Sequence, residues 1–509
     1  MTRWTAIHTP LSVLAVMATL LGAALCSPLH HPCNSEDSDV PCDTFSASSN
    51  RANDGHSSPP FPAVNRESNG DIQQPGHEAV SYTGYKLLRA NVEASKLPLV
   101  DSLDTAEGVD LWSWRRKGRS RMFEVDLLTP PAAEPKVKQV FSANNLPYQE
   151  VIKDLQDAIN KQKDEFFFSW NRPAHPMTWE KYHSFDEMEQ YLYFLQAEYP
   201  HLITLEEIGH SSENRSLKVA KVSTGPNRTA VWIDGGMHAR EWIAPATAMY
   251  ILYRLVENAW EFPELVNNFD WYILPMVNPD GYEFSRSKDR LWRKTRSINP
   301  DLPLCVGVDA NRNFGYKWAT EGSSNNPCSS LYHGLKPFSE PETKAMADFL
   351  LTHKDQLKVY VTFHAYSQMW MTPWSSSHTP AANNRDLLEV GGMAIEAIRS
   401  YNGTKYTIGT VPDLLYLASG SSMDFAYGTV GIPYSYALEL RDRGNYGFIL
   451  PKEQIHPTAQ ETFLGIRAMA KAVFHKLYQT KSSHETLQTI TSYTRPHILY
   501  LESLHYFGD

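Results

Sequence analysis

Apolar positions along the chain fall into distinct regimes. Leu11 to Leu25 form one nearly unbroken apolar run, with Arg3 ahead of it and the small residues Ala24 and Cys26 at its end. This is the anatomy of a secretory signal cut after Cys26 (residues 1–26) rather than of a retained membrane anchor. Residues 27–80 hold few large apolar side chains and much Ser, Pro, Asn, Asp and Gly, which predicts a flexible linker. Over 81–163 the pattern is that of a small α+β unit. Strands are predicted at Tyr85–Val92, Val109–Trp114 and Arg121–Leu128, with Arg115–Arg119 as a hairpin tip. Val151, Ile152, Leu155, Ala158 and Ile159 share one helical face, which predicts a helix from Glu150 to Gln162.

From about residue 177, apolar strand-like runs alternate with amphipathic helical patterns. Strands are predicted at Arg228–Ile233, Val359–Phe363 and Tyr434–Leu438. Helices are predicted from Pro245, as first residue, to about Trp260 and from Ala459 to Leu477. The alternation predicts an α/β fold: a central mixed, largely parallel sheet with helices on both faces. Such sheets carry functional groups at the carboxyl ends of their strands.

Composition narrows the class. The 509 residues carry a formal net charge of −10, which argues against a nucleic-acid or membrane-surface binder. An apolar fraction of 42% supplies a sizeable core and argues against a disordered chain. Of five cysteines, four remain once Cys26 leaves with the signal, an even number suited to an oxidising compartment. Three pairings are open. Joining Cys305 to Cys328 and Cys33 to Cys42 closes two short loops and is the pairing expected. Asn214, Asn227 and Asn402 head N-x-S/T triplets, candidate glycosylation sites in a secreted chain.

Four clusters carry chemistry. His238 and Glu241, in Asp234-Gly-Gly-Met-His-Ala-Arg-Glu-Trp242, can reach one metal from a single turn, although that spacing alone is equally met by a hydrogen-bonded pair. His364 follows another predicted strand, and a parallel sheet would bring it to the same edge. Two His and one Glu make a three-ligand zinc site with an open position. Glu439 is an acidic residue in an apolar strand, costly to bury unless paired or employed as a base beside the metal. Arg293 and Arg312, with Asn311, are candidates for gripping a carboxylate.

Taken together, these segments resemble the zinc carboxypeptidase A/B family (the funnelin metallocarboxypeptidases) through nearly all of residues 177–479. The resemblance rests on His238-Ala-Arg-Glu-Trp242, Asn278-Pro-Asp-Gly281, Arg290-Leu-Trp-Arg-Lys-Thr-Arg296, Val308-Asp-Ala-Asn-Arg-Asn313, His364-Ala-Tyr-Ser-Gln368, Tyr416-Leu-Ala-Ser-Gly420, Glu439-Leu-Arg-Asp442 and Pro457-Thr-Ala-Gln-Glu461. It implies that His238, Glu241 and His364 bind one Zn2+ per chain, that Glu439 is the general base, and that Arg293 stabilises the oxyanion. It implies further that Asn311 and Arg312 hold the substrate's terminal carboxylate, that Tyr416 closes over the substrate, and that Arg240 and Tyr366 line secondary subsites. The Cys305–Cys328 pairing is also the one the family implies. Met423 matches the pocket-floor position, with Val411, Leu415, Ala418 and Ala437 small or apolar around it and Ser375 mildly polar. That pocket predicts a preference for aromatic or large aliphatic C-terminal residues.

Residues 81–163 resemble the family's propeptide domain, which implies a zymogen whose propeptide covers the cleft. A trypsin-like protease would then release the enzyme domain (164–479), with Lys161 and Lys163 as the best sites. The expectation is a secreted monomer acting on peptide or protein C-termini, with no nucleic-acid partner and no membrane span after signal removal. The rivals are an inactive binding protein on the same fold and a carboxypeptidase acting on C-terminal Lys or Arg. Segments 27–80 and 480–509 have no counterpart in the usual zymogen.

Overall fold

The computed structural model describes residues 78–103, 108–118, 120–162, 175 and 177–479. The expected signal, Cys33 and Cys42, all but the end of the linker, Arg119, Lys163 and the extension at 480–509 lie outside the described residues.

The N-terminal module is a four-stranded antiparallel sheet, in the order β2-β3-β1-β4. Its strands are β1 (Lys86–Glu93), β2 (Asp110–Arg116), β3 (Met122–Thr129) and β4 (Tyr148–Ile152). Leu88, Ala90 and Val92 of β1 pack with Val125 and Leu127 of β3, and against Val137 and Phe141 of the helix Glu134–Ala143. Period-two alternation puts these on one face.

Two expectations are corrected here. The helix expected over 150–162 covers only Leu155–Gln162, because Tyr148–Ile152 pairs with β1 as an edge strand. Val151, Ile152 and Leu155 fit the helical period, but Val151 and Ile152 are taken by the strand, and Asp154 marks where the helix starts. Its carboxylate accepts the backbone N–H of Gly84 at 2.9 Å and of Asp157 at 3.3 Å, starting the helix at Leu155. Arg115 is not at a hairpin tip. It lies buried in β2 and donates to Glu124 and Asp126, so the turn begins after Arg116.

The second sheet has eight strands: β5 (Ile203–His210), β6 (Ser216–Val222), β7 (Thr229–Asp234), β8 (Phe269–Leu274), β9 (Leu357–His364), β10 (Met369–Thr372), β11 (Thr407–Thr410) and β12 (Tyr434–Glu439). Their order is β11-β10-β12-β9-β7-β8-β6-β5. The central run β12-β9-β7-β8 is parallel throughout. The antiparallel pairs are β10 with β12, β6 with β8, and β5 with β6. Val231 and Ile233 of β7 face one apolar core with the helices Ile243–Val256, Asn384–Asn402 and Ile455–Phe474. Ala230 and Trp232 face a second core with the helix Pro341–Thr352. A strand buried on both faces needs this continuous apolar run.

Both long helices begin before their predicted starts, at Ile243 and Ile455. Pro245 and Pro457 are the third residues of these helices. A first-turn amide has no partner within the helix, so a proline costs little there and does not mark the boundary.

Register places the chemistry. Asp234 at the end of β7 lies opposite Thr362 of β9. His364 at the end of β9 lies opposite Glu439 at the end of β12. Three parallel strands therefore finish at one edge of the sheet.

Candidate active site

The chain leaves β7 through Gly235-Gly236. Gly236 has φ +69°, and a Cβ there would come 2.6 Å from Met276 Sδ. This tight exit turns His238 back over the sheet edge, with Glu241 just before the helix Ile243–Val256. His238, Glu241 and His364 are all buried, and their ligand atoms lie within 4.8 Å of one another. Glu241 Oε1 is 2.8 Å from His238 Nδ1, and Glu241 Oε2 is 3.0 Å from His364 Nδ1. The two Nδ1 atoms are 3.1 Å apart.

The donor set fits a metal ion. His238 Nε2 lies 3.2 Å from Asp309 Oδ1, which accepts its N–H and leaves Nδ1 as a lone pair. Burial, with the Arg293 charge, lowers the His238 pKa. Burial opposes ionisation of Glu241, but the His238 and His364 rings hold its carboxyl well below the usual range. Two imidazoles and one carboxylate converging on a point make a competent dication site.

Around this cluster, one cavity of about 80 Å³ is lined by Arg293, Asn311, Arg312, Tyr366, Tyr416, Met423 and Glu439 as well as the three candidate ligands. Burial and the negative Glu241 hold the Glu439 carboxyl well above its ordinary pKa, against the pull of Arg293. Arg293 donates Nε and Nη2 to Asp309 at 3.1 and 2.9 Å. Arg312 donates Nε to Gly322 O and Nη1 to Asn311 O, and makes no ion pair among the described residues. Asn311 Oδ1 accepts Ser422 N at 2.9 Å. Met423 is buried, and Val411, Leu415, Ala418, Ala437 and Ser375 line the same cavity. Arg240 does not line it. That side chain borders a neighbouring space with Tyr82, Asp110 and Trp292.

The family model described as "Zinc carboxypeptidase" matches residues 188–465, more than half of the chain. The chain belongs to the zinc carboxypeptidase family. A second family model, "Carboxypeptidase activation peptide", matches residues 92–162, so this zinc carboxypeptidase is a zymogen. Among curated relatives, it is 43% identical to carboxypeptidase B of Astacus astacus over 58% of this chain and 98% of that one. It is 36% identical to carboxypeptidase A1 of Bos taurus over 78% of this chain and 96% of that one. The crystal structure of carboxypeptidase A from Helicoverpa armigera superposes with TM-score 0.70 at 28% identity, covering 78% of this chain and 99% of that one.

In this carboxypeptidase the activation peptide roofs the cavity. Trp112 and Ser113 of β2 are among its lining residues. Trp112 packs on Phe448 and Tyr366, with ring centroids 4.9 and 6.4 Å away, and Trp114 lies 5.5 Å from Tyr416. Asp110 accepts Arg240 Nη1 at 2.7 Å. Fully buried Asp126 accepts Arg89, Arg115 and the Tyr366 hydroxyl together.

The Cys305–Cys328 disulfide is present. Asn214, Asn227 and Asn402 are exposed. Lys161 is exposed in the last turn of Leu155–Gln162. Among the described residues, no helix is long and apolar enough to cross a membrane. Sequence reasoning missed Met371, which lines the cavity opposite Ala437 in the β10–β12 register. It assigned no role to Asp309 or Asp126. Asp309 had a signal, its place in Val308-Asp-Ala-Asn-Arg-Asn313, but Asp126 had none.

Proposed function

We propose that the chain is a secreted zymogen whose mature domain, a monomer with one zinc, removes aromatic or large aliphatic residues from peptide and protein C-termini. The observation that carries this reading is the apolar pocket floor, Met423, with Met371 and Ala437 beside it. Two flexible, polarisable thioethers make favourable contacts with aromatic rings, and among the described residues the acidic side chains lining the cavity are Glu241 and Glu439, which this reading gives to the metal and to proton transfer.

Zinc, held by His238, Glu241 and His364, would supply Lewis-acid activation of the scissile carbonyl and of water. Glu439 takes the attacking water's proton and later passes it to the leaving amine. Arg293, released from Asp309, turns its free N–H groups to the developing oxyanion. Arg312 and Asn311 hold the terminal carboxylate, which restricts the enzyme to chain ends. Tyr416, freed from Trp114, closes over the bound residue, and Tyr366 and Arg240 serve upstream substrate positions.

Activation requires the roof to leave. Lys161 lies in a helix, and its neighbour Gln162 is buried, donating to Leu450 O and accepting from Arg290 Nε. Proteases need an exposed, extended chain, which disfavours a cut after Lys161 and leaves Lys163, outside the described residues, as the other expected site. Glycosylation at Asn214, Asn227 and Asn402 accompanies export.

Blocked dipeptides ending in Phe, Leu, Trp, Lys or Arg test the proposal, before and after limited trypsin and with or without a zinc chelator. Chelator-sensitive release of Phe, Leu and Trp only after trypsin is expected. The Met423→Asp variant is expected to lose this release and to gain release of Lys and Arg. Release of Lys and Arg by the unaltered enzyme would overturn the pocket argument. No release from cleaved, zinc-loaded protein would favour an inactive binding protein.

A further inference from the structure

The two histidines of the cluster are anchored differently. His238 leans directly on a carboxylate, Asp309. Among the described residues, His364 has no carboxylate at its Nε2. That nitrogen lies 3.3 Å from the Thr362 hydroxyl, and Thr362 Oγ1 lies 2.6 Å from Asp234 Oδ1. Asp234 Oδ2 accepts the Trp232 indole N–H at 2.8 Å. Asp234 and Thr362 have no exposed surface, so these hydrogen bonds act without competing water.

The fold builds this row of groups by register alone. Asp234 and Thr362 are paired across β7 and β9, and His364 follows Thr362 by two residues on the same strand face. The carboxylate end of this row sets the direction of its hydrogen bonds. A carboxylate only accepts, so the single hydroxyl hydrogen of Thr362 goes to Asp234. Thr362 Oγ1 then faces His364 Nε2 as an acceptor, a contact that favours the ring hydrogen on Nε2. Nδ1 then presents its lone pair toward Glu241 Oε2 and His238 Nδ1. One neighbour competes: Asn311 Nδ2, a donor, is 3.3 Å from the same Nε2 and would favour the opposite tautomer.

We propose that Asp234 acts through the Thr362 hydroxyl as the positioning group for His364, setting the tautomer that turns Nδ1 to the metal. This rests on the zinc-ligand reading above. It makes Asp234 and Thr362 positioning residues, since neither reaches the three-ligand cluster itself.

The test is zinc affinity of the full chain, measured by chelator competition, with thermal unfolding of the zinc-free chain as the check on folding. Thr362→Val keeps the shape and removes the hydroxyl. It is expected to weaken zinc binding about 10- to 100-fold, the usual cost of losing a group that orients a ligand, with the zinc-free chain still unfolding in one cooperative transition, at a lowered temperature because Asp234 loses a donor. Thr362→Ser restores the hydroxyl and is expected to bind near the unaltered level. Asp234→Asn removes the charge that draws the Thr362 hydrogen and is expected to weaken binding about tenfold by the same route; it gives an independent reading should the Val variant fold poorly. Undiminished affinity in Thr362→Val or in Asp234→Asn overturns the inference while leaving the zinc site intact. Equal weakening in Thr362→Ser and Thr362→Val also overturns it, because the methyl and not the hydroxyl would then matter. An unaltered chain that binds no zinc overturns the ligand reading and the inference together.

Discussion

Glu439→Gln leaves the zinc content of the activated enzyme unchanged and lowers kcat by about 10²- to 10⁴-fold, with a small change in KM. The side chain sits opposite His364 at the end of β12 but stands outside the three-ligand cluster. Gln has the same shape and cannot take a proton. Burial and the charge of Glu241 raise the proton affinity of Glu439, and the Arg293 charge opposes them. Single-turnover kinetics with a metal assay on the same sample separates the outcomes. A variant that keeps its kcat removes Glu439 from the chemistry. A variant that loses zinc as well places the residue in the metal site.

Replacing a substrate's terminal carboxylate by a carboxamide lowers kcat/KM by about 10⁴-fold, since the site is then left with a buried charge unpaired. Arg312 is 3% exposed, lines the cavity, and spends its described hydrogen bonds on two carbonyl oxygens. Its positive charge therefore awaits an anion. In Arg312→Ala the acid substrate is expected to lose most of its rate, and the acid-to-amide ratio to collapse toward one. Measuring kcat/KM for a matched acid and amide pair with both enzymes decides it. If the ratio survives in Arg312→Ala, carboxylate recognition lies elsewhere.

The sequence was most legible where one physical constraint acts alone. The strands ending at Asp234, His364 and Glu439 show as apolar runs because both their faces are buried. The metal-ligand candidates stand out because few residue types bind a metal, although the spacing alone left an ordinary hydrogen-bonded pair open. The roles of Arg293, Arg312 and Tyr416 came through resemblance, since charge and spacing say nothing about where a side chain arrives. What stayed hidden depends on partners distant in the chain. Val151 and Ile152 fit a helix until β1 supplies an edge to pair with. Arg115 looks like a turn cation until Asp126 and Glu124 draw it inward. Met371 becomes a pocket residue only through its pairing with Ala437.

The shared finish of β7, β9 and β12 has a bearing on how this chain tolerates evolutionary change. Glu241, His364 and Glu439 are far apart in the sequence, yet a one-residue deletion inside β9 or β12 would send every following side chain to the opposite face. The same deletion in a surface connection would shift nothing at the sheet edge. Length variation among descendants of this gene should therefore gather in the connections, while the three strand endings stay frozen in step.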